Sequence, residues 1–455
     1  MSAGFYQDDT VTLTLGGQDV LLATSYHIKQ SILQQPSDFS IRLGRGSVNP
    51  DPKLGPTIKD LIAKYPPNTT FELRINGNLR LSGRTDGYRA SAAGGAATEL
   101  TIFGRDTLAP MHDAHIDHEK SFNDATYTSL VKSVLKEVGL DPEKVVGSGN
   151  ASRKLQAGVN VRELLPVRSV DEILAGKGEA KTAGAAASTL QTKAGDRWMD
   201  FVRKQLDRAG LFLWAAGDGH IVLSAPNINQ DPIYRIVRRR GQTRNEVNVI
   251  HADLLNDTRP RYTFGIVYGR SGGKKKGNAK SIGDSTDDEM LNVYKFGLDF
   301  AGNPINTRSI VIRDTHCHNN AQAAYLAQRK LAEARRHGFQ LVYTMAGLST
   351  PTLNGSRAVW TPDTMVEVKD EEFGIDAVYW IESVEFSRQP HTTTTIRLMR
   401  PFDCVFGTPE FEGEAVVQTG FKGPKKIEQT LCNGYVPTKE HPIIGVNADG
   451  TPIFG

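Results

Sequence analysis

Cysteine is almost missing from this chain. Cys317, Cys404 and Cys432 are odd in number and far apart, and no Cys-x-x-Cys pair occurs. Zinc sites and redox dithiols built on paired cysteines are therefore not expected, and the usage fits folding in a reducing compartment. Long apolar runs are missing too: nothing reaches the roughly 18 residues that a membrane-spanning helix needs, so no stable membrane insertion is expected. The opening MSAGFYQDD lacks the basic-then-apolar pattern of a secretory leader, and the expectation is a chain made and folded in the cytoplasm. Net charge is nearly absent, because 54 basic residues against 51 acidic ones leave only +3. That balance gives no pointer to nucleic acid or an anionic membrane. There is no Gly-x-Ser-x-Gly elbow, Walker loop or dinucleotide fingerprint. The stretch GGKKKGN has glycines and lysines but not the Gly-Lys-Ser/Thr ending that cradles phosphate.

What is present is globular. Hydrophobic residues make up 39% and charged residues 23% of 455 positions, a chain long enough for about two to four domains. From Val11 to Gly104 the pattern has period two, the mark of strands with one buried face. Val11, Leu13 and Leu15 alternate with Thr12 and Thr14, and Phe39, Ile41 and Leu43 alternate with Ser40 and Arg42. Asn76-Gly77 sits between two alternating runs in FELRINGNLRL, a strong hairpin signal because both residues tolerate positive φ. Gly94-Gly95 marks a second reversal. With little helical pattern outside TIKDLIAKY, the region predicts a small barrel or sandwich.

The period then changes. Tyr127, Leu130, Val131, Val134, Leu135 and Val138 lie at helical spacing, with Asn123 or Asp124 as N-cap and Gly139 as terminator. A second helix runs through DRWMDFVRKQLDRAG to Gly210 and leads into a hairpin turning at Asp218-Gly219. Helices with a hairpin predict an α+β insert. Between the helices lies an Ala/Gly-rich stretch, read as a mobile loop. Strands return from about Val247, interrupted by the helix NNAQAAYLAQRKLAEARR, whose small-residue face of Ala321, Ala324, Ala327 and Leu331 would pack closely on a sheet. Periodicity fades beyond Pro401. Residues 406–455 read as an extended arm with Phe411, Phe421 and Tyr435 as anchors for a neighbouring subunit or another chain.

The closing strands of the two β regions match in order and pattern. TFELRINGNLRLSGRTDGYRASAAGGAATELTIFGRD can be laid beside TMVEVKDEEFGIDAVYWIESVEFSRQPHTTTTIRLMRP. Each opens with an alternating strand, turns, continues into a long strand and closes with another alternating strand. Two generic β-meanders would look the same at this resolution, so both readings stay open. A true duplication would let three chains present six similar units, and so mate a threefold object to a sixfold one.

Candidate chemistry is thin. MHDAHIDHE gathers His112, His115 and His118 beside Asp113 and Asp117. On a strand, His115 would face away from the other two; on a helix, each step of three drifts by about 60°. DTHCHNN offers Asp314, His316, Cys317 and His318, although Asn319 or Asn320 reads equally as a helix cap and Cys317 as a small buried residue. The paired carboxylates Glu371 and Glu372, and Asp287 and Asp288, lie in polar loops where a solvated charge run outweighs a glycosidase dyad. The basic run with Arg235, Arg238, Arg239 and Arg240 reads as a strand edge or salt-bridge face, with nucleic acid contact as the alternative. No catalytic, metal-binding or cofactor-binding residue is assigned.

Several segments in order resemble the baseplate hub proteins of Mu-like contractile-tail phages, the late control or tail protein D family. These are TELTIFGRDTLAPMHDAHI with its Gly-Arg-Asp strand and crossover, the SFNDATYTSLVKSVLKEVGL helix, RWMDFVRKQLDRAGLFLWAAGDGHIVLSAP, and GSRAVWTPDTMVEVKDEEFGIDAVYWIESVEFS with TTTTIRLMRP. They span most of residues 1–405, and their order carries the likeness. The resemblance implies a homotrimeric, non-enzymatic symmetry adapter without cofactors in the virion, assembled in the host cytoplasm. Its implied partners are the tail tube protein, a separate central spike protein and other baseplate proteins, with the tape measure as a further candidate and no specific nucleic acid. The expected architecture is mainly β with an α+β insert: a first tube-like β-barrel at 1–109, the insert at 110–244, a second tube-like β-barrel with an inserted helix at 245–405, and an extended arm at 406–455. A tail-tip peptidoglycan hydrolase is the alternative function.

Overall fold

The computed structural model describes residues 9–20, 23–44, 58–92, 98–123, 127–147, 153–155, 159–161, 189–209, 211–226, 228, 230–241, 249–268, 282–286, 308–314, 320–353, 356–389, 391–404, 443–446 and 452–454. Residues 1–410 form one compact unit and residues 411–455 a second.

The alternating N-terminal segments are strands: β1 (Val11–Leu15), β2 (Gln18–Val20), β3 (Ala23–Ser31), β4 (Asp38–Gly44), β5 (Thr70–Ile75), β6 (Asn78–Ala92) and β7 (Thr98–Asp106), with helix α1 (Ile58–Lys64) between β4 and β5. Asn76 and Gly77 turn the β5–β6 hairpin at φ of 51° and 78°, as the sequence predicts. The Asn76 side chain also accepts the Thr10 N–H at 2.9 Å, which ties the start of β1 to the same turn.

The insert begins with α2 (Ala109–Asp113), β8 (Ser121–Asn123) and α3 (Tyr127–Glu137), followed by β9 (Val145–Gly147), β10 (Arg153–Leu155), β11 (Val159–Val161), β12 (Thr189–Gln191), α4 (Trp198–Ala209), β13 (Phe212–Ala215) and β14 (Ile221–Ser224). β14 lies between β13 and β9, β8 pairs with β12, and β10 with β11. Leu130, Val131, Val134 and Leu135 from α3 meet Trp198, Phe201 and Val202 from α4 in a core of their own. Gly139 ends α3 at φ +74°, and Leu140 N–H reaches back to the Leu135 carbonyl, the glycine C-cap expected of a helix stop. Asp124 and Gly210 lie outside the described residues, and so does most of the Ala/Gly-rich stretch.

The second β region contains β15 (Tyr234–Arg238), β16 (Val249–Asn256), β17 (Phe264–Tyr268), β18 (Ile282–Thr286), β19 (Ser309–Arg313), α5 (Asn320–Gly338), β20 (Phe339–Ala346), β21 (Ser349–Pro351), β22 (Arg357–Val359), β23 (Met365–Asp370), β24 (Ile375–Arg388) and β25 (Thr392–Met399). In the second compact unit, β26 (Ile443–Val446) pairs antiparallel with β27 (Pro452–Phe454). Two sequence expectations change here. β17, β18 and β19 form a separate sheet, and α5 packs on it: a Cβ at Gly265 of β17 would lie 3.3 Å from both the Ala327 carbonyl and Leu331 Cγ. The buried stripe of α5 is Ala323, Ala327, Leu331 and Ala332, while Ala324 is half-buried. Ala321's side chain lies outside what is described.

β21 pairs with β22, and the remaining strands of the two β regions assemble one 13-stranded sheet containing two ladders of the same order. In the first, the order is β1-β5-β6-β7-β4-β3; in the second, β15-β23-β24-β25-β20-β16. The match extends to register. One row across the first ladder is Ile28, Phe39, Gly104 and Thr85, and the corresponding row of the second is Leu254, Leu341, Leu398 and Ile381. Both long strands carry a register shift one step beyond that row, between Thr85 and Gly87 in β6 and between Ile381 and Ser383 in β24. Both terminal strands carry another, between Ala23 and Ser25 in β3 and between Val249 and His251 in β16. Bulges fix twist and register, so four matched irregularities separate these ladders from two unrelated meanders. The ladders differ at one edge: β15 runs parallel to β23, whereas β1 runs antiparallel to β5.

Candidate functional site

The two ladders are sewn together along one seam. β24 pairs with β25 on one side from Trp380 to Arg388; on its other side, residues 375–380 pair with β23 and residues 383–388 pair with β3. The seam register sets Phe386 opposite Ile28, Glu385 opposite Lys29 and Ser387 opposite His27. Val384, Phe386, Ile28 and Tyr26 are buried in an apolar core continuous beneath both ladders. Burying a Phe-sized side chain contributes about 1.5–3 kcal/mol, so the seam is a packed interior and not a loose edge contact.

On the other face a diagonal pair crosses the seam. His27 Nε2 lies 2.8 Å from Glu385 Oε1. That hydrogen bond raises the His27 pKa, and the same contact lowers that of Glu385. Ser31 Oγ donates to the buried Glu382 at 3.2 Å, and Arg397 Nε lies 3.3 Å from the same carboxylate. A second tie is Arg80 of β6, almost fully buried, which donates to Thr361 Oγ1 at 2.8 Å and to the Val359 carbonyl at 3.3 Å. Burial lowers its pKa.

The Gly-Arg-Asp segment singled out in the sequence is the joint between the first ladder and the insert. A Cβ on Gly104 would sit 2.7 Å from the Arg84 carbonyl oxygen and 2.9 Å from Phe39 Cε1 and Thr85 Cα; only glycine fits. Arg105 bridges Asp86 at 2.7 Å and Asp113 at 2.6 Å, and Asp113's pKa is lowered, chiefly by that hydrogen bond. Asp106 is buried and accepts the Ser37 N–H at 2.7 Å and the Leu108 N–H at 2.9 Å. Burial pushes its pKa up to about 6 in spite of those donors.

The remaining candidates fall into structural surroundings. His112 is half-buried near the end of α2, with burial and then Arg203 pulling its pKa down to about 4. His118 pairs with Asp117 at 2.5 Å, and His115 bridges by backbone to Arg197. No group of three or more metal-type side chains is gathered among the described residues. His316, Cys317, His318, Asp287 and Asp288 lie outside those residues, and so do the arm anchors Phe411, Phe421 and Tyr435. Three members of the basic run meet acidic groups within the chain at β15 and just beyond it: Arg235 meets Glu367 at 2.6 Å, Arg238 meets Asp370 at 3.3 Å, and the Arg240 N–H donates to Glu371 at 2.9 Å. Glu372 lies 3.5 Å from Arg240 Nε. Among the described residues, no helix is long and apolar enough to cross a membrane.

No family model matches the chain, and no curated protein matches it in sequence. Solved structures do. The chain shares its fold, mainly β and centred on a large, mostly antiparallel sheet, with two tail proteins of known structure. The tail protein from Neisseria meningitidis MC58 aligns with a TM-score of 0.62 at 19% identity, over 87% of this chain and 97% of that one. The 43 kDa tail protein of prophage MuSo2 from Shewanella oneidensis aligns with a TM-score of 0.61 at 18% identity, over 87% of this chain and 99% of that one.

Proposed function

We propose that the chain is a structural baseplate hub of a contractile phage tail, a homotrimer joining the sixfold tail tube to a threefold central spike in the virion. The observation that carries this reading is the pair of ladders with the same strand order, register and bulges in one polypeptide. Three such chains supply six equivalent units, which is what a threefold body needs to meet a sixfold one. The tail tube and spike proteins are its principal partners, followed by other baseplate proteins, and the segment 406–455 grips a neighbouring chain or the spike through Phe411, Phe421 and Tyr435. Its work is geometric and not enzymatic. In support, Glu371 and Glu372 are engaged by Arg240 at a strand turn and do not face one another across a cleft, as a glycosidase pair must.

Native mass measurement of the full chain, alone and with its spike protein, tests the reading. A three-chain species is expected, and a chain that stays monomeric in both conditions overturns it. Incubation with purified peptidoglycan tests the hydrolase alternative: release of soluble fragments would establish it, and none is expected.

A further inference from the structure

The seam inside the chain has an unfilled counterpart on its surface. By register, the β24 residues 383–388 correspond to β6 residues 87–92, and β3 corresponds to β16. In the chain, β24 is joined to β3. Among the described residues, β6 beyond Thr85 pairs only with β7, and β16 pairs only with β20. Equivalent positions are therefore covered at one place and bare at the other. Val384 and Phe386 are fully buried while their counterparts Tyr88 and Ala90 are exposed; Ile28 is buried while its counterpart Leu254 is 37% exposed. Leu255 and Ile250 are also exposed on β16. Unpaired strand edges with apolar side chains are templates for another strand.

We propose that these two bare edges pair with each other between copies of this chain, β6 of one against β16 of the next, repeating the β24–β3 seam. Carrying the internal register across sets Tyr88 opposite Asn256, Arg89 opposite Leu255, Ala90 opposite Leu254 and Ser91 opposite Asp253. Two features of the sequence fit that register. Asn256 takes the place of Gln30, so a polar amide falls at the same point of both seams. Arg89 takes the place of Glu385 and Asp253 that of His27, so the diagonal ion pair is kept with its signs exchanged. Neither Arg89 nor Asp253 has an ion-pair partner among the described residues, and a diagonal pair of this kind is within reach of long side chains. The contact is head to tail, which closes into a ring or runs on as a fibre; closure at three copies rests on the hub reading above.

Charge reversal on the full chain tests the pairing. Arg89→Glu or Asp253→Arg alone is expected to raise the concentration at which the assembly dissociates by about tenfold or more, and the double variant is expected to recover it. A second arm uses Ala90→Cys with Leu254→Cys, which should give oxidised species of two and three covalently linked chains and none larger; the out-of-register pair Ala90→Cys with Leu255→Cys should not. If the wild-type chain is a trimer but the charge variants assemble unchanged and the in-register cysteines do not link, this seam is wrong and the hub reading stands. If the wild-type chain remains monomeric with its spike, the hub reading fails with it.

Discussion

At the scale of single residues, the acidic groups at the joints are the most exposed to test. Asp106 accepts two buried backbone N–H groups, and Asp106→Ala leaves both unsatisfied. The expected loss is about 2–4 kcal/mol in urea unfolding. The pH dependence has a definite sign. Asp106 has its folded-state pKa raised to about 6 from an ordinary 3.8, so the folded protein holds this proton more tightly than the unfolded chain. Its contribution to stability is greatest below the ordinary value and declines as pH rises through about 6. Asp106→Asn should flatten that part of the stability profile, and an unchanged slope would contradict the assignment. The seam pair behaves differently. Glu385 is lowered and stabilises above its ordinary 4.5; His27 is raised and stabilises below its ordinary 6.5, losing its effect as pH climbs through the raised value. The pair is therefore strongest between those limits. Both side chains are more than 40% exposed, so solvent screening holds the effect to about 0.2–1 kcal/mol. His27→Gln should remove the decline on the alkaline side, as read from urea midpoints across pH.

At the scale of elements, close approach and helix packing decide the outcome. Gly104→Ala forces a methyl group against backbone atoms of β6, and a loss of at least about 3 kcal/mol is expected, with the β6–β7 amides losing hydrogen-exchange protection first. What the sequence disclosed at this scale follows from local physics. Alternation, the Asn76-Gly77 turn and the helical stripe of α3 are set by residues close in the chain, and all three are found where the pattern predicts. What it concealed depends on distant partners. The run FGIVY alternates like any half-buried strand, and nothing local says that it joins Ile282–Thr286 and Ser309–Arg313 in a separate sheet beneath α5. The stripe on α5 was misplaced for a related reason. In a helix so rich in alanine, several faces are small, and only the sheet beneath selects Ala323 over Ala324. Gly-Arg-Asp stood out as a motif, but its chemistry required partners such as Ser37, Asp86 and Asp113 that no spacing rule connects.

At the scale of the whole molecule, the two ladders share one core, so damage to the seam should be felt by both. Phe386→Ala is expected to cost about 3–5 kcal/mol. The fluorescence transition of Trp380 in the second ladder should coincide with exchange of the β4 amides in the first; two separate transitions would show that the seam does not couple them. The duplication was visible in the sequence only as a shared order of strands and turns. Its residue-level content, the matched bulges, is invisible there because a bulge is defined by the partner strand.

The β24–β3 seam also bears on how a collar could be built. Within each polypeptide that joint forms at folding, at an effective concentration far above that of any free chain in a cell. Under the proposed trimer, half of the joints around a six-unit ring are then complete before two molecules meet. Only three bodies must collide in place of six, so ring closure should depend on the third power of chain concentration, and a partly built ring has fewer open ends at which to go astray.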